Sequence, residues 1–336
     1  MKNHKIHILI LIILIILASI FVISNLQTDR ENSHRPVTYG ISFDPTYAKY
    51  LGLDPKSTYQ SILKDLSIKN IRLSALWDRI EPLDSAQGKP FYFEELDWYV
   101  SKATQNKAQV ILAIGFKLPR WPECRVPRWL ETRNEELRTR QLIMLKAVIE
   151  YYEKNPTIVA WQLENEPLLE FGVCPKPDRQ FLQKEVEFVR SKTSKPIIIS
   201  DSGELRPWVT PMKLSDIFGT TLYRIVETPI IGQFYYPLRP WFYRIKSDLV
   251  RKFFAPQNQK TIIVELQTET WSNRPLSQTP VDEQIQNFTL QQFKDTIDFA
   301  RKTGFSEIYL WGVEWWYYLL QNGHPEYLQY AKSLFF

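Results

Sequence analysis

From residue 37 onward the chain alternates short apolar, β-branched runs with helical stretches, and it does so eight times. Val37–Phe43, Ile68–Leu73, Ala108–Ile114 and Thr157–Leu163 read as the first four strands. Pro196–Ser200, Ile217–Tyr223, Thr261–Glu265 and Ser306–Trp311 read as the last four. Helical stretches follow near Lys56–Leu66, Phe93–Asn106, Asn134–Lys154, Asp178–Thr193, Pro211–Asp216, Trp241–Phe254 and Val281–Lys302, with a closing one near Glu326–Phe335. Runs such as TIIVEL and EIYLW are apolar without alternation, as in parallel strands covered on the outside by helices. Eight strand-then-helix units in about 300 residues are what an α/β protein of the (β/α)8, or TIM, barrel type requires. An open doubly wound sheet uses the same units. Against it, no G-x-G-x-x-G or Walker-type loop follows the first strand, and 11 glycines in 336 residues leave little material for one.

Histidine bounds the chemistry. Of four, His4, His7 and His34 precede residue 35, and only His324 remains beyond. A Ser-His-Asp or Cys-His nucleophile needs a histidine base, and a zinc site normally takes three or four His/Cys ligands. The expectation is therefore no metal and no organic cofactor, with catalysis left to carboxylates, tyrosines or lysines. The 42 Lys+Arg against 37 Asp+Glu are dispersed, so a nucleic-acid partner finds no support. The 11 Trp, 17 Tyr and 19 Phe mostly build a core, while some can line a groove, since flat rings stack on sugar faces.

The N-terminus is of a different kind. Lys2 and Lys5 flank Ile6–Ile23, almost entirely Ile and Leu and interrupted by His7 and Ser19. At 1.5 Å per residue the run spans about 27 Å, close to a hydrocarbon core. The basic residues before it place the N-terminus in the cytoplasm and the rest of the chain outside. A cleaved signal has an apolar region of roughly 7–15 residues, and Val22-Ile23-Ser24 is a marginal cleavage site. An uncleaved signal-anchor is the preferred reading, with a secreted protein as the outcome if the segment is cut. The organisation expected is thus 1–24 as transmembrane segment, 25–36 as polar tether and 37–336 as barrel. In an oxidising exterior Cys124 and Cys174, in the Pro-containing loops WPECRVP and GVCPKP, suggest a disulfide, two free thiols being the alternative.

Active sites of such barrels form at the C-terminal ends of the strands. Read in order, those ends carry Asp44, then Arg72 and Trp77, Phe116 to Trp121, Glu164-Asn165-Glu166-Pro167, Asp201, Tyr223, Glu265 and Trp311. Glu166 and Glu265 close strands four and seven, on opposite sides of the mouth. Two such carboxylates are what glycoside hydrolysis needs: an acid on the leaving oxygen and a carboxylate at the anomeric carbon. The blander reading of either is a solvated loop residue, and of Arg72 a buried ion-pair partner. Glu269 rivals Glu265, which is preferred because it ends the apolar run; Glu164 reads as structural, and Trp315-Trp316 as a plug for the barrel end.

Four regions carry a family resemblance. IVAWQLENEP resembles strand four of glycoside hydrolase clan A, which ends in Asn-Glu, often Asn-Glu-Pro. IRLSALWDRIEP, FYFEELDWYV and VILAIGF resemble the R…W..IEP…F.F..LD…VIL pattern around strands two and three of clan members. TIIVELQTETW resembles the seventh strand with its nucleophile, and IYLWGVEWW the eighth with its substrate-facing Trp. Together they cover residues 37–320. Family 5 cellulase-like proteins of this clan commonly carry a histidine two residues before the strand-six Tyr; here that position is Thr221.

The resemblance implies a retaining β-glycosidase acting on an oligo- or polysaccharide. Glu166 would be acid/base, Glu265 the nucleophile, and Asn165 the partner of the sugar 2-hydroxyl. Arg72 and Tyr223 would hold Glu265 oriented as a carboxylate. Trp311 would floor the sugar site, with Trp77, Trp121 and Glu314 as further candidates for substrate contact. Two other functions fit the same residues: an inactive barrel that binds glycan through its aromatic rim, and a transglycosylase remodelling envelope glycan.

Overall fold

Strings of Ile, Val and Leu do form a closed ring of parallel strands. The computed structural model describes residues 2–82, 91–130, 134–228, 230, 232–272 and 274–336, so Met1 of the expected anchor lies outside it. In chain order the first six ring strands are β1 (Thr38–Ser42), β2 (Asn70–Ser74), β3 (Gln109–Ile114), β4 (Ile158–Leu163), β5 (Ile197–Asp201) and β6 (Ile217–Leu222). An antiparallel hairpin of β7 (Ile225–Thr228) and β8 (Gly232–Tyr235) stands outside the ring, which β9 (Lys260–Gln267) and β10 (Glu307–Trp311) complete. Closure is direct: β1 pairs with β10 along its whole length and with β2 on its other side.

The helices are α1 (Lys2–Ser33), α2 (Pro45–Tyr50), α3 (Pro55–Asp65), α4 (Trp77–Ile80), α5 (Glu94–Gln105), α6 (Asn134–Tyr152), α7 (Arg179–Arg190), α8 (Val209–Leu214), α9 (Pro240–Phe254), α10 (Val281–Asn287), α11 (Leu290–Lys302), α12 (Val313–Gln321) and α13 (Glu326–Lys332). The single helix expected over Val281–Lys302 is two, because Thr289 starts α11 with a capping box completed by Gln292.

Two apolar layers hold the barrel. Inside, Ile111, Ala160, Ile198, Ile262, Val264 and Tyr309 fill the lower lumen. The Tyr309 ring fits because Gly40 faces it: a Cβ there would sit 2.6 Å from the ring. Outside, alternate strand residues such as Ile41, Leu73, Leu112, Trp161 and Leu310 pack under the helices. The upper lumen, by contrast, is polar and holds Arg72, Gln162, Ser200 and Glu265, all buried. Buried polar groups at that density need mutual partners, and they have them.

The N-terminal segment differs from expectation in one respect. Asn25–Ser33, read as a tether, continue α1 without a break and dock between α9 and α11. Arg244 of α9 donates to Asp29 and Asn25, Asn32 donates to the carbonyl of Lys302, and Phe21 meets Trp241 edge-on. Asn25, Asp29 and Asn32 thus face the barrel, while Gln27, Arg30 and Glu31 stay exposed. Residues 13–23 of α1 leave their Ile, Leu, Phe and Val side chains exposed, and the helix is long and apolar enough to cross a membrane.

Candidate active site

Glu265 owes its position to an irregularity. Against both neighbours β9 carries one residue too many: Ile263 pairs with Thr220 and Ile308, but Glu265 pairs with Thr221, and Leu266 with Leu310. This β-bulge lets Val264 point into the lumen and Glu265, the very next residue, point inward as well. The bulged Val264 carbonyl accepts from Arg72 Nη1 at 3.2 Å. The same Nη1 donates to Glu265 Oε1 at 2.9 Å, and Tyr223 OH donates to Oε2 at 2.9 Å. Burial and the nearby Glu265 and Glu166 charges push the Tyr223 phenol well above its usual range, so it stays a donor. Arg72 is spread across the mouth: Nε donates to Gln162 Oε1 (2.7 Å) and Nη2 to Asn165 Oδ1 (2.9 Å).

Glu166 approaches from the other side. The end of β4 turns sharply, with Glu164 at φ 60° and Glu166 at φ 44°, conformations that side chains adopt rarely and that clustered contacts must hold. Glu164 supplies part of that hold. Its carboxylate accepts from the Phe116 and Lys117 N–H groups, packed where Gly115 leaves room, and from Gln141. Ser200 Oγ accepts from Glu166 N at 2.9 Å and donates to Asn165 Oδ1. Thr221 donates to Glu166 Oε1 at 3.0 Å. Burial, then the charges of Glu265 and Glu123, raise the Glu166 pKa well above the ordinary carboxylate range. The result is a pair of carboxyl groups in contrasting surroundings, one buried with its pKa raised and the other bonded to a guanidinium and a phenol.

Three charged residues of the site, Lys117, Arg120 and Glu123, were not singled out in the sequence, the first two falling only within the strand-end stretch Phe116 to Trp121. Glu123 is buried beside both carboxylates, pairs with Lys117 at 2.8 Å, and burial pushes its pKa up to about 7. Arg120, at φ 79°, reaches into the mouth. Its guanidinium lies 3.7 Å from the centre of the Tyr47 ring and 3.9 Å from that of Trp311, and it pairs with Glu269 and with Glu314 (3.0 Å). Trp311, expected to floor a sugar site, therefore has Arg120 against its ring, and the two share a small cavity with Asp44, Arg72 and Glu314. Glu314 is fully buried, bonded to Asp44 N as well as Arg120, and its pKa is pushed up to about 7 by burial. Glu269 is taken up by Arg120 and lies apart from the Arg72–Tyr223 clamp. Trp77 is brought no nearer: it is wholly buried, its indole N–H donating to Glu81, and it offers a substrate no surface. Trp121 stands on the rim, 65 % exposed, edge-on to Phe171. The missed residues follow a turn-rich loop after β3, where local pattern says nothing of direction.

A disulfide between Cys124 and Cys174, Cα atoms 5.3 Å apart, ties that loop to the one after β4. Because it closes a 50-residue loop, replacing both cysteines by Ser should cost about 2–4 kcal/mol in the chain-entropy account. That corresponds to a melting temperature lower by roughly 3–6 °C for a chain of this size. An unchanged thermal transition in the double variant would show that the bond does not constrain the unfolded chain.

No family model matches the chain, and no curated protein is significantly similar to it. Solved structures are. The β-galactosidase of the haloarchaeon Halorubrum lacusprofundi superposes with a TM-score of 0.55 at 12 % identity, over 82 % of this chain and 52 % of the enzyme. The β-galactosidase of the psychrophilic Marinomonas ef1 gives 0.51 at 14 %, over 82 % and 54 %. The endo-1,4-β-mannanase of Rhizomucor miehei gives 0.54 at 12 %, over 82 % and 85 %. This chain has their barrel fold. It spans about half the length of the two β-galactosidases and most of the mannanase. At such identities the likeness is one of fold.

Proposed function

We propose that the protein is a retaining β-glycosidase, working by double displacement on a β-linked glycan and held to a membrane by α1 with its barrel outside the cytoplasm. The observation that carries this is the contrast within the pair: Glu265 clamped by Arg72 and Tyr223, Glu166 buried with a raised pKa. Glu265 attacks the anomeric carbon while Glu166 gives its proton to the departing oxygen, leaving a glycosyl-enzyme ester. Glu166, now a carboxylate, takes a proton from the water that attacks that ester, which frees Glu265 and restores Glu166. Asn165 has its Oδ1 engaged by Arg72, Ser200 and Gln162, so its amide NH2 is the group that meets the sugar 2-hydroxyl. Trp311 and the rim Trp121 are assigned to substrate contact, and Glu314 to holding Arg120 in place.

A panel of 4-nitrophenyl β-glycosides, followed by NMR of the first product anomer, tests the reading. Turnover of at least one sugar with a β-configured first product is expected. A first product of inverted configuration would overturn the mechanism, and no turnover of any sugar would favour a binding barrel.

The pH profile follows from the same electrostatics. Activity needs Glu166 protonated, so the basic limb of kcat/KM reports its loss of a proton. Glu123 is one of the charges that raise the Glu166 pKa. Glu123→Gln removes that charge and leaves Lys117 uncompensated, both of which favour ionised Glu166. The basic limb should therefore move to lower pH; a limb that stays put or moves upward would separate Glu123 from the acid.

A further inference from the structure

The direction of α1 fixes which end of the barrel meets the membrane. Every helix of the ring runs from the mouth, where the strands end, to the base, where the next strand begins. Trp241 is the second residue of α9 and so lies at its mouth end. Phe21 packs against it, while Asp29 and Asn25 reach Arg244 about a turn further toward the base. Asn32 reaches the carbonyl of Lys302, which ends α11 at the base, and packs where Gly304 lacks a side chain. Hence α1 descends from mouth to base, and its docked part, Phe21 to Asn32, is about 17 Å long at 1.5 Å per residue. The apolar turns before Phe21 project beyond the mouth end by roughly 20 Å more.

The two ends of the barrel are also dressed differently. The loops around the mouth expose Trp121, Phe171, Val173, Leu205, Ile230 and Tyr235, with Ile230 at the hairpin tip 93 % exposed, interspersed with Arg128, Glu170, Lys176, Arg239 and Arg274. Ile230 belongs to the hairpin that leads into α9, the helix against which α1 leaves the barrel. The base exposes Lys69, Lys107, Lys154 and Lys192, and its exposed aromatics, Tyr151, Phe253, Phe254 and Phe336, lie at the ends of α6 and α9 and at the C-terminus. An apolar rim on the side from which an apolar helix emerges fits one occupant, the lipid surface that the helix enters.

We propose that the mouth is apposed to the bilayer that holds α1, with the rim side chains seated in its interface, and that the glycan cleaved there is carried on a lipid of the same bilayer. The inference rests on α1 being a retained anchor and, for the substrate, on the glycosidase reading. A soluble polymer would have to thread between rim and membrane, whereas a lipid-borne sugar stands directly beneath the cavity. Docking of residues 21–33 argues for retention, since a cut after Ser24 would divide a helix built into the barrel.

The test uses the full chain in phospholipid vesicles, with a benzophenone side chain placed at position 230, 205, 107 or 253. After irradiation, lipid adducts are expected at 230 and 205 and not at 107 or 253. Adducts at the base positions, or at none of the four, overturn the orientation. A carbonate wash beforehand separates the assumptions: a chain released by it defeats the anchor reading instead. For the substrate, dodecyl β-glycosides in the vesicle are compared with 4-nitrophenyl β-glycosides of the same sugar in solution. At least a tenfold higher kcat/KM for the vesicle-borne glycoside is expected, and equal rates overturn the lipid-borne substrate. No cleavage of either defeats the glycosidase reading, and the crosslinks then still decide the orientation.

Discussion

Glu265→Gln should lower turnover of an aryl β-glycoside by at least about 10⁴-fold, because removing a covalent nucleophile leaves only binding and positioning. Gln is nearly isosteric, and its Oε1 can still accept from Arg72 Nη1, which also keeps Gln162, Asn165 and the Val264 carbonyl as partners. The fold should therefore survive, and circular dichroism and the thermal transition are the controls. A 2-deoxy-2-fluoro glycoside with a good leaving group should add one sugar mass to the native chain at Glu265 and none to the variant. Activity within tenfold of the native protein, or a label on Glu269, would assign the nucleophile elsewhere.

Glu166→Ala tests the other half of the pair. With a poor leaving group, loss of the acid is expected to cost roughly 10²–10⁴-fold. With a dinitrophenyl leaving group, which departs without a proton, formation of the glycosyl-enzyme should be nearly unaffected. Its breakdown then lacks a base, so the intermediate accumulates. Azide needs no base and fits the space vacated by the carboxylate, so it should restore turnover and yield the β-glycosyl azide. Rescue without that product, or no rescue, would remove Glu166 from the acid/base role. The two variants complement each other: the first stops the bond from forming, the second stops it from breaking.

Much of this arrangement was legible in the amino-acid sequence, and the reasons are local. Each strand of the ring is a short apolar run, and all eight were placed within about two residues. The strand ends named Arg72, Asn165, Glu166, Tyr223 and Glu265, and the hydrogen bonds connect Arg72 to Asn165 and Glu265, and Tyr223 to Glu265. What was not legible depends on partners far along the chain. Asn25–Ser33 looked like a tether because it is polar; Asn25, Asp29 and Asn32 in fact pair with Arg244 and Lys302, more than 200 residues away. The bulge that re-aims Glu265 is one extra residue in a run that stays apolar either way. Arg120 enters the mouth from a left-handed backbone position that no pattern announces, and Trp77, at a strand end by count, turns into the core.

The pairing of β1 with β10 has a consequence for how the chain is made. Thr38–Ser42 wait for Glu307–Trp311, so the first strand of the ring has one edge unpaired until the last has been synthesised. Arg72 and Glu265 are likewise 193 positions apart, and the wall that Trp311 and Glu314 form arrives later still. Nascent or proteolytically shortened chains consequently lack the cavity altogether instead of carrying a weakened version of it. Ordering so many distant contacts is slow, but it makes the cavity all-or-none: it exists only once the ring has closed.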